Sequence, residues 1–179
     1  MEIKVIRYCL KYFCLNVACF LIPHPKLRAF WLRLLGAEIG RSVRIEKVNF
    51  IQIQWPLSHL QCGDNVFIGS NVIIDLSEKI VIDSNSLVSS GCSLVTHQDP
   101  GAFFDGPLCK IYPKKYESIH IHENVWVGCD STILPGASIG SFSVIGAKSL
   151  VKGKIPDGVL ACGTPALVKK IFSKNEPNG

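Results

Sequence analysis

The sequence has a single methionine and 8 alanines, against 20 isoleucines, 17 leucines and 15 valines. Because alanine and methionine favour helices while isoleucine and valine favour strands, this composition argues against a helical bundle. Charged residues are few, at 18% against 47% apolar residues, which excludes a disordered chain. With 179 residues, the chain has the length of one domain with a short appendage.

Motifs for zinc and for disulfide frameworks are also missing. The 8 cysteines include no C-x-x-C pair and no grouping with histidine at zinc spacing. We therefore expect reduced thiols, no metal requirement and a cytoplasmic protein. The net charge of +5 is too small to indicate nucleic acid as a partner.

What the sequence does contain is a repeat of six residues. An aliphatic residue starts each unit in fourteen of fifteen cases, and a small or branched residue follows four positions later in ten of them. Glycine, aspartate or glutamate directly follows nine of the starts, which indicates turns. The starts are Ile39, Ile45, Ile51, Cys62, Ile68, Ile74, Ile82, Val88, Leu94, Ile121, Val127, Ile133, Ile139, Ile145 and Val151.

A period of six is typical of a short strand followed by a corner, repeated along the chain. Three such units would close one triangular coil of a β-helix, with the aliphatic residue pointing inward. The alternative is a β-sandwich, but its strands would alternate over longer runs and would not keep this period. We predict an all-β solenoid.

Four ordered motifs give a resemblance to a known family. They are Val125-Trp126-Val127-Gly128, Ile133-Leu134-Pro135-Gly136, Val144-Ile145-Gly146-Ala147 and Gly163-Thr164-Pro165-Ala166. The series resembles the hexapeptide-repeat acyltransferases, and most of all the branch that O-acetylates maltose, galactosides and exopolysaccharides. This resemblance implies a left-handed parallel β-helix.

We expect three segments along the chain. Residues 1–36 form an N-terminal helical segment, and residues 37–172 form the β-helix acetyltransferase domain, which ends in a short C-terminal helix. Residues 173–179 are a tail. An active-site loop covers residues 97–118.

The loop is expected there because the repeat breaks. Leu94 and Ile121 are 27 residues apart where the period predicts six, and the excursion contains His97, Asp99, Phe103 and Phe104. Loops that leave a rigid scaffold often carry function. A smaller insert at 55–61 could line a substrate cleft.

His97 is the candidate catalytic base. Imidazole ordinarily titrates near pH 6.5, which suits it to take a proton from a sugar hydroxyl. A histidine in the same place performs this step in the family that the chain resembles. Asp99 or a backbone carbonyl could orient the ring. The alternative is a loop histidine without a task.

A thiol could instead accept the acetyl group before passing it on. Cys92 falls at a small-residue position of the repeat, so we expect it to be buried and inert. Cys129 follows Gly128 at a corner and should point outward, with no basic neighbour in sequence to activate it. Direct transfer to the acceptor is therefore favoured.

The resemblance further implies acetyl coenzyme A in a groove between adjacent subunits of a homotrimer. Trp126 would line the part of the groove that holds the thioester end of acetyl coenzyme A. Carried over by motif, Cys129, Ala147 and Lys152 would line the pantetheine and pyrophosphate path, and Thr164, Pro165 and Ala166 would meet the adenine.

Lysines that are close in the sequence could add phosphate contacts, or could simply keep the apolar carboxyl-terminal third in solution. They are Lys148, Lys152, Lys154, Lys169 and Lys170.

Residues 3–22 are unlike the rest. Their longest charge-free run, 12–25, has 14 residues, fewer than the ~18 expected of a spanning helix. Lys4, Arg7 and Lys11 form a basic stripe that suits a membrane interface, with contact through residues 1–24. The alternatives are a signal peptide, for which no clear cleavage site follows, and a helix that caps the solenoid. A second helix should run from Pro25 to about 35.

The leading functional prediction is an enzyme that transfers acetyl from acetyl coenzyme A to a sugar hydroxyl in cell-surface polysaccharide or lipopolysaccharide biosynthesis. It would be cytoplasmic, or peripheral on the inner face of the membrane. A second possibility is acetylation of a small molecule. A third is a scaffold or a metal protein like the γ-class carbonic anhydrases, but the spacing of His97, His120 and His122 does not resemble the three zinc ligands of that family. We expect His120 and His122 on an outer strand face.

Overall fold

The structure is a computed structural model that describes residues 2–101 and 106–172. The predicted tail, 173–179, lies outside the described residues. Phe103 and Phe104 of the predicted active-site loop lie outside them as well.

The amino-terminal part is helical. It comprises α1 (Glu2–Tyr12), a π-helix (Phe13–Ala18), α2 (Cys19–Leu21) and α3 (Pro25–Leu34). Nδ1 of His24 caps α3 by accepting the N–H of Lys26 at 3.2 Å. The predicted second helix is thus confirmed.

The remainder winds into a solenoid of three sheets, in which all strands but the last, β20, pair in parallel. Sheet 1 contains β1 (Glu38–Ile39), β4 (Leu60–Cys62), β7 (Ile80–Ile82), β12 (Ile119–Ile121), β15 (Ser138–Ile139) and β18 (Lys154–Ile155). Sheet 2 contains β2 (Arg44–Ile45), β5 (Phe67–Ile68), β8 (Leu87–Val88), β13 (Trp126–Val127), β16 (Val144–Ile145), β19 (Val159–Cys162) and β20 (Leu167–Ile171). Sheet 3 contains β3 (Asn49–Ile51), β6 (Ile73–Asp75), β9 (Ser93–Leu94), β14 (Thr132–Ile133) and β17 (Leu150–Val151).

Three short elements lie outside these sheets. They are a 3₁₀ helix (Leu57–His59), the helix α4 (Pro107–Ile111), and an antiparallel pair made of β10 (His97–Gln98) and β11 (Lys115–Tyr116). The predicted all-β solenoid is confirmed.

The interior of the prism is the hydrophobic core. Fourteen of the fifteen predicted unit starts are buried, as are all ten of the small or branched residues four positions later. Ile51 is the exception: it is 37% exposed, whereas Phe50 is 3% exposed and pairs in register with Ile74. The inward position of this first coil is therefore displaced by one residue.

The corners differ from the sequence-based expectation in one respect. The left-handed backbone falls three residues after the unit start, as at Asn65, Asn85 and Asn124, rather than one residue after it. The glycines directly after the starts serve close packing between coils instead. A Cβ at Gly63, for example, would lie 2.7 Å from the backbone N of Ser84 in the next coil.

The predicted short C-terminal helix is wrong for residues 167–171. This segment forms β20, which runs antiparallel to β19 and pairs with it from Val159↔Ile171 to Cys162↔Leu167. β19 would otherwise be the last strand of sheet 2, with unpaired backbone groups along its edge. Pairing with that edge outweighs any helical preference of the segment.

The helices cover the first coil at the other end of the solenoid. Leu15, Cys19 and Leu32 are buried against the core. The guanidinium of Arg28 is buried and donates to the carbonyls of Ile22, Pro23 and Ile45. This is the packing that the capping alternative requires. Within residues 2–101 and 106–172, no helix is both long enough and apolar enough to span a membrane.

Candidate active site

The chain leaves the solenoid where the break in the repeat predicts. After β9 it enters the β10–β11 pair, in which His97 lies opposite Tyr116, and it rejoins sheet 1 at β12. The N–H of Glu117 donates to the carbonyl of Thr96 at 2.9 Å and closes the base of this loop. His97 therefore projects from the corner between sheet 3 and sheet 1.

A buried carboxylate holds one nitrogen of the His97 ring. Nδ1 of His97 lies 2.5 Å from Oδ2 of Asp75, and the backbone N–H of His97 donates to the same oxygen at 3.2 Å. Asp75 is fully buried, while the His97 side chain is 20% exposed. Asp75 belongs to the preceding coil, directly after Ile74, which pairs with Leu94.

The surroundings of Asp75 keep its carboxylate charged. Burial alone would raise its pKa, but the hydrogen bonds from the His97 ring, from the Ser77 hydroxyl and from the N–H groups of Ser77 and Thr96 lower it more. The net result is a pKa below the usual aspartate value. An ionised carboxylate against Nδ1 assigns the ring proton to Nδ1, which leaves the lone pair on Nε2.

Asp99 does not orient His97, and neither does a backbone carbonyl, so this expectation is corrected. Oδ1 of Asp99 accepts the N–H of Gly101 at 3.0 Å, and its Oδ2 lies 3.4 Å from the Lys114 ammonium. Asp99 thus closes a local turn and holds two parts of the loop together. Asp75 has the orienting position.

The free nitrogen of His97 faces Gln52. Their two Nε2 atoms are 3.3 Å apart, so the Gln52 amide can donate to the lone pair of the ring. Oε1 of Gln52 accepts from the side chain of Gln54, which fixes the orientation of the Gln52 amide. An acceptor hydroxyl that replaced Gln52 at this nitrogen would lie where His97 can take its proton.

Aromatic rings form a wall beside His97. The ring of Tyr116 stacks on the imidazole, with centroids 6.3 Å apart and planes at 21°. Trp55 lies 6.1 Å from Tyr116 and 6.3 Å from His59. The insert at 55–61, expected to line a substrate cleft, thus contacts Tyr116, the ring that stacks on the candidate base.

Most of the residues expected to bind the cofactor lie away from His97, on sheet 2 or at the corner between sheets 2 and 3. Trp126 is 54% exposed on sheet 2, and its indole N–H donates to the Ser89 hydroxyl at 3.0 Å. Cys129 and Ala147 are exposed at the corner that leads from sheet 2 to sheet 3. The turn containing Thr164, Pro165 and Ala166 follows β19, at the end of sheet 2.

Lys152 belongs instead to the corner of His97. With Gln98, Tyr112 and Lys114 it lines a cavity of about 430 Å³ between the loop and the solenoid. Within one chain, Trp126 therefore lies on the outer face of sheet 2, whereas His97 lies at the corner between sheet 3 and sheet 1.

The lysines that are close in the sequence do not form one cluster. Lys148 lies before β17 and pairs with Asp130 at 3.4 Å, Lys152 follows β17, and Lys154 lies on sheet 1. Lys169 and Lys170 are on β20 in sheet 2. Residues two to four positions apart reach different faces because each strand of the solenoid is so short.

No disulfide joins the cysteines of the described residues. Cys92 is buried, and desolvation raises its pKa to about 11, which leaves it protonated and inert. Cys62 is likewise buried, with a pKa of about 12. Cys129 is exposed, as predicted.

The protein combines a solenoid of hexapeptide coils with a histidine that a buried carboxylate orients where a loop leaves the solenoid. These two features indicate a β-solenoid transferase. The family described as bacterial transferase hexapeptide (six repeats) matches residues 118–153. The chain belongs to this hexapeptide-repeat acyltransferase family, and it is an acetyl-CoA-dependent acetyltransferase.

Two relatives and one solved structure carry this assignment. The putative colanic acid biosynthesis acetyltransferase WcaF of Escherichia coli (strain K12) is 33% identical, over 79% of this chain and 72% of that protein. A galactoside O-acetyltransferase of Lactococcus lactis subsp. lactis (strain IL1403) is 34% identical, over 87% of this chain and 72% of its own length. A galactoside acetyltransferase in complex with coenzyme A has a TM-score of 0.75 at 27% identity, covering 94% and 80% of the two chains.

Proposed function

We propose that this protein transfers the acetyl group of acetyl-CoA to a sugar hydroxyl, with His97 as the general base. The contact between Asp75 and Nδ1 of His97 carries the proposal, because it leaves Nε2 unprotonated and holds the ring in one orientation. The acceptor hydroxyl gives its proton to Nε2 while its oxygen attacks the acetyl carbon. The thioester C–S bond then breaks, and the coenzyme A thiolate leaves and takes up that proton from His97. Acetyl-CoA supplies the acetyl group as an activated thioester.

The aromatic wall supports a sugar as acceptor. Trp55 and Tyr116 are partly exposed beside His97 and offer flat apolar faces with polar edges. The apolar ring face of a sugar can pack on such a surface while its hydroxyls stay hydrogen-bonded. Gln52 would release Nε2 of His97 when the acceptor hydroxyl arrives.

The surface between sheets 2 and 3 suits an extended pantetheine chain. The exposed side chains at this corner, Cys129 and Ala147, are small, and Gly128 lets the two coils pack closely there, since a Cβ at Gly128 would lie 2.6 Å from the backbone N of Ala147. Trp126, Cys129 and Ala147 would contact the arm, and Thr164, Pro165 and Ala166 the adenine. Lys169 and Lys170, on β20, would supply positive charge for the phosphates, and Lys152 would do so from the His97 corner of an adjacent copy.

A homotrimer would complete the site. Because Trp126 lies on sheet 2 and His97 at the corner between sheets 3 and 1 of one chain, the cofactor surface of one copy must face the His97 corner of another for transfer to occur. Three copies with this contact form a closed ring. This arrangement gives each active site residues from two subunits.

We further place the enzyme on the inner face of the cytoplasmic membrane, acting in polysaccharide or lipopolysaccharide biosynthesis. Val5, Ile6, Leu10 and Phe13 are exposed on the helical segment, beside the basic Arg7. The similarity to WcaF, whose name refers to colanic acid biosynthesis, favours a polysaccharide acceptor. Vesicles of anionic lipid should bind the wild-type protein, and an Ile6→Ser, Leu10→Ser double variant should bind less. The matched control is Ile171→Ser, which removes an exposed isoleucine from the far end of the solenoid.

The decisive experiment is release of free coenzyme A thiol from acetyl-CoA in the presence of a panel of sugars. Thiol release that depends on a sugar, together with a product one acetyl group heavier by mass spectrometry, supports the proposal. Activity confined to small amines or antibiotics would favour acetylation of a small molecule instead. Failure to bind coenzyme A at millimolar concentration in calorimetry would contradict the assignment of a cofactor groove. Comparing the surface glycans of cells with and without the gene would then identify the natural acceptor.

A further inference from the structure

Two imidazoles and a carboxylate meet on the outer face of sheet 1. Asp83, His120 and His122 each offer one ligand atom, and these atoms all lie within 4.8 Å of one another. Nε2 of His120 is 2.8 Å, and Nδ1 of His122 is 3.6 Å, from the same oxygen of Asp83. Ligand atoms around a tetrahedral zinc ion, with bonds of 2.0–2.1 Å, are about 3.3 Å apart. The two distances to Asp83 lie on either side of that value.

The strand register fixes where these side chains start. β7 and β12 are parallel neighbours with Ile82 beside Ile121, so Asp83 and His122 occupy equivalent positions in consecutive coils. The N–H of Asp83 donates to the carbonyl of Ile121 at 2.8 Å, and the N–H of His122 donates to that of Ile139 at 3.0 Å. The ligands therefore stand on a hydrogen-bonded ladder and lose little freedom when an ion binds.

The same position in the other coils of sheet 1 carries no ligand. It is occupied by Gly40, Gly63, Gly140 and Pro156. Glycine suits this position because a Cβ at Gly40 would come within 2.5 Å of the neighbouring backbone. The two coils that depart from the pattern are adjacent, and both place a metal-binding side chain there.

A further contact directs one of the imidazoles. Nε2 of His122 lies 3.3 Å from the Ser138 hydroxyl on β15, so its Nδ1 is the nitrogen turned toward Asp83. Hydrogen bonds of this kind orient histidine ligands in metal sites. The rings of His120 and His122 stack, with centroids 3.8 Å apart and planes at 28°.

We propose that Asp83, His120 and His122 form a binding site for a zinc ion, with water in the remaining coordination position. The side chains are 36–41% exposed, so an ion can reach them from solvent. Two histidines and a carboxylate are ligands that zinc accepts. Bound zinc would join two consecutive coils and stabilise the solenoid.

This site is not the three-histidine zinc centre of γ-class carbonic anhydrases. His97 is not a ligand here, because Asp75 holds its Nδ1. No step of the proposed acetyl transfer uses the ion, so the two proposals stand or fall separately.

The test is a zinc titration of the full-length protein after removal of metals with a chelator. By calorimetry we expect one zinc ion per chain. His122→Ala and Asp83→Asn should each weaken binding by about tenfold or more, with folding checked by circular dichroism. If either of these two variants does not fold, His120→Gln replaces it. His24→Asn removes an exposed imidazole elsewhere while keeping a residue suited to cap α3, and it should bind zinc like the wild type.

Two further readouts separate this site from the cysteines and from His97. Cobalt in place of zinc should show the visible bands of a tetrahedral site without a thiolate charge-transfer band. Saturating zinc should raise the melting temperature of the wild type but not that of Asp83→Asn. Equal affinity in the wild type and in the folded His122→Ala variant, or no binding at millimolar zinc, would overturn the proposal.

Discussion

Asn16 and Phe50 are joined by a pair of hydrogen bonds between a side-chain amide and a strand. The N–H of Phe50 donates to Oδ1 of Asn16 at 2.8 Å, and Nδ2 of Asn16 donates to the carbonyl of Phe50 at 3.2 Å. Asn16 lies in the π-helix, and Phe50 lies in β3, the edge strand of sheet 3. The amide therefore satisfies backbone groups that have no strand neighbour on that side.

This pair links the helical segment to the active site. Gln52, which faces Nε2 of His97, is two residues beyond Phe50, and the carbonyl of Trp55 accepts a hydrogen bond from Lys11 of α1. The acceptor side of the cleft is thus anchored to the helices at two points. π-Helical segments such as Phe13–Ala18 are frequently found near functional sites.

We predict that Asn16→Ala lowers turnover and raises KM for the acceptor, while leaving affinity for coenzyme A unchanged. The edge of β3 would lose both hydrogen bonds, and Gln52 would no longer be held opposite His97. The loss of stability should be about 1–2 kcal/mol, measured by urea unfolding. The control is Asn49→Ala, which changes an exposed asparagine on β3, the strand that contains Phe50. Asn124→Ala would not serve, because Asn124 has a positive φ that alanine adopts poorly. A fall in coenzyme A affinity equal to the fall in turnover would indicate general damage instead.

The replacement His97→Ala should lower turnover by roughly 10² to 10⁴, the usual contribution of a positioned base. Affinity for coenzyme A should stay nearly constant. Asp75→Asn should also lower turnover strongly, because an amide no longer fixes the proton on Nδ1. Asp99→Asn is the matched control and should cost less, since Asp99 contacts Gly101 and Lys114 rather than His97. Near-full activity of folded His97→Ala at saturating substrate would remove His97 from the mechanism.

The interior of the fold could be predicted from the sequence because the repeat is local. Each unit start needs an aliphatic residue whichever coil lies beside it, and the burial of Ile68 or Ile145 follows directly. The orienting partner of His97 could not be found this way. Asp75 stands one position after a unit start, where the repeat predicts a turn-forming residue, and it meets His97 only because consecutive coils stack. The strand register could have identified Asp75, because Ile74 pairs with Leu94 and Asp75 therefore lies beside the point where the loop begins.

The same locality explains the other departures. Lys148, Lys152 and Lys154 look like one basic cluster in the sequence, but successive short strands turn them onto different faces. Ile51 keeps the period of six but is exposed, and Phe50, whose N–H donates to Asn16, is buried in its place. The predicted C-terminal helix gave way to β20 because the edge of β19 was available for pairing. Each depends on contacts between distant segments.

The free energy of unfolding should depend on pH through the ionisation of Asp75. Its pKa is lower in the folded protein than the ~3.9 of an unfolded aspartate, so the folded state binds protons less readily. The contribution of Asp75 is thus fully present above about pH 4 and is lost as the pH falls through the lower, folded pKa. Urea unfolding of Asp75→Asn should show a shallower decline in stability below pH 4 than the wild type. Glu123→Gln removes an exposed carboxylate and should follow the wild-type profile.

Thiol reactivity should separate the cysteines by burial. Cys62 and Cys92 are buried, with pKa values of about 12 and 11, so they should react with a maleimide or a disulfide reagent only after unfolding. Cys9 and Cys129 are exposed and should be labelled in the native protein. Peptide mass spectrometry identifies the labelled positions. Cys129→Ala should retain most transferase activity, because direct transfer needs no acetyl-thiol intermediate; trapping of an acetylated cysteine during turnover would contradict this.

Mixing of inactive variants should test whether two copies share one active site. His97→Ala lacks the base, and Trp126→Ala lacks the wall of the thioester end, while each retains the other residue. If the two residues act across a subunit contact, unfolding and refolding the variants together should restore part of the wild-type activity, because some contacts then pair an intact Trp126 with an intact His97. Refolding each variant alone is the control and should restore none. Light scattering should find three chains in the active species. Activity of the mixture no higher than that of the separate variants, in confirmed mixed oligomers, would show that His97 and Trp126 act within the same chain.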